Sequence, residues 1–198
     1  MKERPINMSY QSDDFYLSRI QAGDIQAYSF LVNKHKSLVF TIVLRICGSR
    51  EDAEEVAQDV FVKAFHSLSS FKRESQFSTW LYRIAYNMAI SKTRKKKIET
   101  IELDERYANQ WSTEDSAIDE YALSYEEKEA LARHALDTLD PEESLLITLF
   151  YNQQLSTEEI SRITNLSVSN VKVKLFRIRK KLMTLVIKKQ EQKLTLSI

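Results

Sequence analysis

A chain of 198 residues that contains only two glycines, Gly23 and Gly48, has very little with which to build tight turns. Glycine ordinarily makes up ~7% of a protein, because positive-φ turns and phosphate-cradling loops call for a residue without a Cβ. Doubly wound nucleotide folds, P-loop enzymes and most β-sandwiches are therefore poor fits, and an all-α chain is the default. Hydrophobic residues at 43% supply enough apolar surface for a real core. At ~100–200 residues per domain, the length accommodates one ordinary domain or two small ones. The single cysteine, Cys47, excludes an internal disulfide and a paired-cysteine zinc site, and suits a reducing compartment. The longest apolar run, 38–44, is interrupted by Thr41 and fenced by Lys36 and Arg45. A membrane-spanning helix needs ~20 apolar residues, and the N-terminal stretch lacks the apolar core of a signal peptide. The expectation is a cytoplasmic protein without membrane insertion.

The formal net charge of +1 conceals a strong pattern. Residues 1–97 carry a net +6, residues 98–143 a net −12 and residues 144–198 a net +7. Two basic blocks flanking an acidic one suggest a polyanionic partner for the basic blocks, although solvated helical domains on a solvated linker produce the same tally.

Apolar periodicity divides the chain further. Residues 13–23 read as a short helix stopped at Gly23. A long helix follows over 27–46, with Phe30, Leu31, Leu38, Ile42 and Ile46 on its apolar side, and stops near Gly48. Residues 50–66 are helical again: Ala53, Ala57, Val60, Phe61 and Ala64 form one stripe, and Glu54, Glu55, Gln58, Asp59 and Lys63 the opposite face. Residues 67–77 break the pattern as a loop. Ser78 or Thr79 then caps a helix through Trp80, Leu81, Ile84 and Met88 that fades into the basic run 92–97. Low periodicity and abundant acid mark 98–125 as a linker. Asp140-Pro141-Glu142-Glu143 starts another helix, with Asp as the cap, Pro at the first helical position and acids in the first turn. Ser156-Thr157-Glu158-Glu159 is a second capping box, and Ser167 caps a helix that runs to about residue 187. The expected fold class is all-α: two small helical domains, 13–97 and 126–187, joined by an acidic flexible linker.

The most informative segment is 156–182. A short helix, the turn Thr164-Asn165-Leu166 and a longer helix give the geometry of a helix-turn-helix. Asn165 stands where a turn glycine is usual, and asparagine tolerates the left-handed conformation better than most residues. Ile160, Ile163, Leu166, Val171, Leu175, Ile178 and Leu182 form the expected buried seam. From residue 167 to 190 there is no acidic side chain but eight cations: Lys172, Lys174, Arg177, Arg179, Lys180, Lys181, Lys188 and Lys189. A helix that needs only solubility mixes signs. With Ser169 and Asn170 in its first turn, this one suits the major groove, flanked by phosphate contacts.

The N-terminal block carries a different signal. Phe71, Phe77, Trp80, Tyr82 and Tyr86 are interleaved with Lys72, Arg73, Arg83 and the 92–97 basic run. Stacking platforms beside cations are the equipment of single-stranded nucleic-acid binding. Phe71, in the loop, reads as such a platform, whereas Trp80 reads more readily as core.

Two stretches then carry a family likeness: Arg50-Glu51-Asp52-Ala53-Glu54-Glu55-Val56-Ala57-Gln58-Asp59-Val60-Phe61 and Phe77-Ser78-Thr79-Trp80-Leu81-Tyr82-Arg83-Ile84-Ala85-Tyr86-Asn87. They resemble extracytoplasmic-function (ECF) sigma factors of bacterial RNA polymerase, in the sigma-70 family. Segment 155–182 is similar to the carboxy-terminal sigma region that reads the −35 promoter element. The resemblance implies that 13–97 binds core polymerase and melts the −10 element, and that 126–187 recognises the −35 element. It implies contacts from Asp52, Glu55, Gln58, Asp59 and Lys63 to the clamp of the polymerase's largest subunit, with the flap as a further partner. It implies −10 contacts from Phe71, Lys72, Arg73, Trp80, Arg83, Asn87, Lys92, Arg94 and Lys95, with Phe71 and Asn87 lining a pocket for a flipped base. It implies −35 contacts from Ser169, Asn170, Lys172, Val173, Lys174, Phe176 and Arg177. The linker would run through the RNA exit path, its acids mimicking RNA, and an anti-sigma factor would be a further partner.

Three residues depart from the family's pattern. Arg73 stands in place of the usual loop glycine, Asn165 in place of the turn glycine, and Val173 where a small polar residue is common. A valine there suits a thymine methyl. His35, His66 and His134 are too far apart for metal-ligand spacing and read as surface or core, and no catalytic constellation is visible locally. No cofactor, no metal and no enzymatic activity are expected. Two other readings compete. One is a stand-alone helix-turn-helix regulator, which leaves the aromatic–basic segment 71–97 unexplained. The other is a helical interaction protein, which explains neither basic block.

Overall fold

A computed structural model describes residues 11–100 and 138–195, and every regular element among them is helical. They divide into two compact units. The first is built on α1 (Asp13–Gln21), α2 (Tyr28–Cys47), α3 (Arg50–His66) and α4 (Phe77–Thr100) as far as Lys92, with 3-10 turns at Ile25–Ala27 and Leu68–Ser70. The second is built on α5 (Pro141–Ile147), a π-helical turn (Thr148–Asn152), α6 (Thr157–Thr164) and α7 (Val168–Thr195). Most of the expected linker 98–125, the first residues of the expected second domain and His134 lie outside the described residues.

The scarce glycines are placed at positive φ, where a residue without a Cβ is least strained. Gly23 follows α1 at φ +96, and Gly48 follows α2 at φ +70 with its N–H donating to Leu44 O at 2.9 Å. Ser12 and Ser49 cap α1 and α3 by accepting from Phe15 N and Asp52 N, each at 3.3 Å. Acids sit in both first turns, where they meet the positive end of the helix dipole.

The core of the first unit is laid down mainly by α2 and α3, which pack along each other. Leu31, Val39, Ile42, Val43 and Ile46 of α2 meet Ala53, Val56, Val60 and Ala64 of α3, and Leu81, Ala85 and Ala89 of α4 are also fully enclosed. The stripe on α2 is rotated from the expected one. Phe30 is 41% exposed and stacks flat on Tyr16, with centroids 4.9 Å apart, and Leu38 is only half-buried. His35 takes a core position instead. On α3, Ala57 and Phe61 are half-buried while Val56 is enclosed.

Neither Ser78 nor Thr79 caps α4. The helix begins at Phe77, Trp80 N donates to Gln76 O at 3.2 Å, and Thr79 is buried. Burial of Phe77, 3% exposed, brings the start forward. At its other end α4 continues to Thr100, three residues into the expected linker.

In the second unit both capping boxes are formed. Glu143 N donates to Asp140 Oδ1 at 2.8 Å, and Asp140 N donates back to Glu143 Oε2 at 3.2 Å. Ser156 N donates to Glu159 Oε2 at 2.8 Å, and Glu159 N to Ser156 Oγ at 3.2 Å. Asn165 adopts the left-handed conformation at φ 59, and Ser161 Oγ pins the turn by donating to Leu166 O at 2.6 Å. Asn170 N donates to Ser167 Oγ at 3.2 Å, so the expected cap of α7 is made. Ile160, Ile163, Val171, Leu175 and Ile178 are buried, with Leu166 and Leu182 half-buried at the margin of the seam.

Candidate nucleic-acid interface

Phe71 leaves the second 3-10 turn and lies half-buried against two rings of α4. Its ring centroid is 5.0 Å from that of Trp80 and 5.9 Å from that of Phe77, the latter edge-on. Phe77 forms the buried floor, while Phe71 and Trp80 each keep part of their surface in water. Trp80 is thus neither a core residue nor a free platform but one wall of a three-ring cluster. Arg83, Asn87 and Arg94 follow on the same helix face by spacing and are exposed, with Asn87 ~10 Å along the axis from Trp80. Lys72 and Lys95 are exposed as well.

Arg73, exposed two residues beyond Phe71, has an unusual backbone conformation. It holds φ 57, a conformation that costs a residue with a Cβ roughly 1–2 kcal/mol. Its guanidinium compensates by donating from Nη2 to Gln21 Oε1 at 3.0 Å, with Nη1 3.8 Å from Asp14 Oδ1.

Asp52, Glu55, Asp59 and Lys63 share one outward face of α3, with Gln58 at its margin and Val62, 56% exposed, among them. Lys92 of α4 reaches this face. Its Nζ donates to Glu55 Oε2 at 2.7 Å and lies 3.7 Å from Asp52 Oδ1. The hydrogen bond to Glu55 holds the ammonium above the ordinary lysine value. Lys92, assigned to DNA with its basic neighbours, therefore faces the acidic patch assigned to polymerase. A separation of 37 residues leaves no local signal of that pairing.

On α7 the burial stripe leaves Ser169, Asn170, Lys172, Val173, Phe176 and Arg177 exposed, with Val173 at 45% and Phe176 at 64%. Two cations are drawn to the side by the acidic first turn of α5. Lys174 Nζ donates to Glu142 Oε2 at 3.1 Å, and Lys181 Nζ to Glu143 Oε2 at 2.6 Å. Arg179 lies over the rings of Phe150 and Tyr151, 5.5 Å from each centroid, and donates to Tyr151 Oη at 2.5 Å. Lys172 and Arg177 remain exposed without an ion-pair partner among the described residues. The acid-free helix is thus graded: an outer face open to a ligand, and a flank stapled to α5. The seven-residue step from Lys174 to Lys181 was the sequence signal for that flank, since it places both on one side of a helix.

Of the histidines read as surface or core, His35 is core, held by partners far away in sequence. His35 is 5% exposed, with Nδ1 2.8 Å from Tyr82 Oη and Nε2 3.0 Å from Asp13 Oδ2. Burial alone would push the Asp13 carboxyl up, but hydrogen bonds from His35 and Lys34 hold it below its ordinary value. Burial, with the Asp13 charge nearby, pushes the Tyr82 phenol up. The His35 ring also stands edge-on to Phe77, centroids 5.8 Å apart. His66, by contrast, is exposed. Among the described residues no helix is long and apolar enough to cross a membrane.

Two family models match the chain: sigma-70 region 2 over residues 31–98, and sigma-70 region 4 over residues 129–182. The ECF RNA polymerase sigma factor SigW of Bacillus subtilis is 31% identical, over 84% of this chain and 92% of its own. The ECF RNA polymerase sigma-E factor of Escherichia coli is 31% identical over 85% and 91%, and the RNA polymerase sigma-H factor of Pseudomonas aeruginosa 29% over 87% and 92%. The fold is similar to that of CnrH, solved in complex with the cytosolic domain of CnrY, at a TM-score of 0.62 and 24% identity over 90% of this chain and 99% of that one. It is also similar to RpoE of Bartonella quintana, solved with the anti-sigma factor NepR, at 0.61 and 20% over 82% and 98%.

Proposed function

The chain belongs to the ECF RNA polymerase sigma factors, and from that premise we propose how its residues divide the work of promoter recognition and opening. Such a factor binds core RNA polymerase and directs it to promoters. In our reading the outward face of α3, centred on Asp59 and Glu55, docks on the clamp of the largest subunit. The exposed face of α7 reads the −35 element, with Arg177 and Lys172 supplying charge and Val173 and Phe176 apolar contact to thymine methyls. The linker threads the RNA exit path.

The three-ring cluster captures a base extruded from the −10 element. The observation that carries this is Phe71, half-buried against Phe77 and Trp80 yet still open to solvent, beside a face that presents Arg83 and Asn87. Unstacking a base costs a few kcal/mol, and stacking on an aromatic ring returns ~1–3 kcal/mol per base. The cluster is therefore of the right strength to tip a closed complex open. A stand-alone regulator would have no use for it.

CnrH and the Bartonella RpoE were each solved with a bound partner, and this chain would be held by an anti-sigma factor that covers its basic units. The protein would act in the cytoplasm beside the polymerase, with no enzymatic step of its own.

The test is run-off transcription with core polymerase on matched duplex and premelted templates. Phe71→Ala and Asn87→Ala should recruit polymerase normally, fail to open the duplex, and regain activity on the premelted template. Equal defects on both templates would remove the flipped-base reading. Tight promoter binding by the protein without polymerase would favour a regulator instead.

A further inference from the structure

The resemblance counts Arg73 among the −10 contacts, but its guanidinium is turned onto α1, which assigns it a supporting role instead. Its conformation is one that glycine would adopt without strain, so something must hold the arginine there. That something is α1: Gln21, its last residue, accepts from Nη2 at 3.0 Å, and Asp14 in its first turn lies 3.8 Å from Nη1. Arg73 is two residues beyond Phe71, so fixing its guanidinium fixes the path by which Phe71 reaches Trp80. The same helix acts on the other side of the cluster. Asp13, its first residue, bonds His35 Nε2 at 3.0 Å, and His35 Nδ1 lies 2.8 Å from Tyr82 Oη of α4. The His35 ring then abuts Phe77, the floor beneath Phe71. A helix of nine residues thus holds both the wall and the floor of one aromatic cluster, through contacts spanning 52 and 22 positions in sequence.

We propose that α1 is a strap that sets the shape of the melting pocket, and that Arg73, Gln21, Asp13 and His35 are positioning residues for promoter opening. The proposal rests on the flipped-base reading of Phe71. The strap touches no DNA itself. It keeps the cluster assembled before the base arrives, so the base need not meet the cost of ordering the loop. A loop with glycine in place of Arg73 would have the conformation available without the tether. Here the tether replaces the freedom.

The experiment uses holoenzyme formed from core RNA polymerase and the full chain, on a promoter the wild type transcribes, as duplex and as a premelted heteroduplex. Opening is followed by permanganate reactivity of the −10 thymines. The Arg73 and Gln21 side chains lie at the surface, so their alanine variants should keep the fold, and core binding is measured alongside as the control. Arg73→Ala and Gln21→Ala should each slow duplex opening about three- to tenfold. The double variant should be no slower than the worse single one, and all three should be restored on the heteroduplex. Asp13→Ala should show the same split between templates. Normal opening by these variants, additive losses, or equal losses on both templates would overturn the proposal. Phe71→Ala separates the two layers. If it is defective on duplex while the Arg73 and Gln21 variants are normal, the strap alone fails. If Phe71→Ala itself opens duplex normally, the pocket reading falls and takes the strap with it.

Discussion

Replacing His35 with leucine tests the buried network by its energetics. The ring is 5% exposed and satisfies two groups at once, Tyr82 Oη at 2.8 Å and Asp13 Oδ2 at 3.0 Å. Leucine fills much of the same space but bonds to neither. Each lost hydrogen bond is worth ~1 kcal/mol net, and an orphaned buried partner adds ~1–3 kcal/mol. The Tyr82 hydroxyl is enclosed and bears that penalty in full, whereas the Asp13 side chain, 17% exposed, can partly rehydrate. His35→Leu should therefore destabilise the first unit by ~3–5 kcal/mol, a fall in Tm of about 4–8 °C per kcal/mol for a domain of this size. The sharper test is the second substitution. Tyr82→Phe on top of His35→Leu removes the orphaned hydroxyl and should recover ~1 kcal/mol or more, because losing both partners costs less than stranding one. Urea unfolding followed by circular dichroism measures all three chains. A cost below ~0.5 kcal/mol for His35→Leu, or a further loss on adding Tyr82→Phe, would refute the reasoning.

Asp13, held below its ordinary value in the folded chain, contributes stability that is present above about pH 4 and is lost as pH falls through its native value. Asp13→Asn should flatten that acid limb in urea midpoints taken between neutral and acidic pH. Asp59→Lys should weaken core polymerase in a pull-down while circular dichroism stays unchanged, since Asp59 is exposed and off the apolar stripe; undiminished binding would take α3 out of the interface. Arg177→Ala should cost ~1–3 kcal/mol of promoter affinity and relax specificity at one −35 base if it reads a base edge, whereas a phosphate contact would weaken all promoters alike. Lys174→Ala should instead lower the stability of the second unit by ~0.5 kcal/mol through loss of the Glu142 contact, a difference that thermal melts and transcription on −35 variants resolve together.

Helix starts were largely legible because their signals are local, whereas α7, expected to stop near residue 187, runs on to Thr195. The Asp140 and Ser156 boxes close over three residues, Asn165 needs only its own tolerance of positive φ, and both glycines end helices through their own backbone freedom. The outward face of α7 followed from the same periodicity, which hides Val171, Leu175 and Ile178 and exposes what lies opposite. Where locality failed, the reading slipped. The start of α4 moved to Phe77 because a core floor was needed there, and the stripe of α2 rotated to bring His35 inside. Periodicity states that a face is buried, not what buries it. The partners of Lys92, Lys174, Arg73 and His35 lie 37, 32, 52 and 47 positions away, and only the packing of helices brings them within reach. A charge on a helix looks the same in sequence whether it is destined for a phosphate or for a carboxylate on the next helix. Tertiary structure made that choice, because an ion pair depends on a distance of a few ångströms that residue order does not contain.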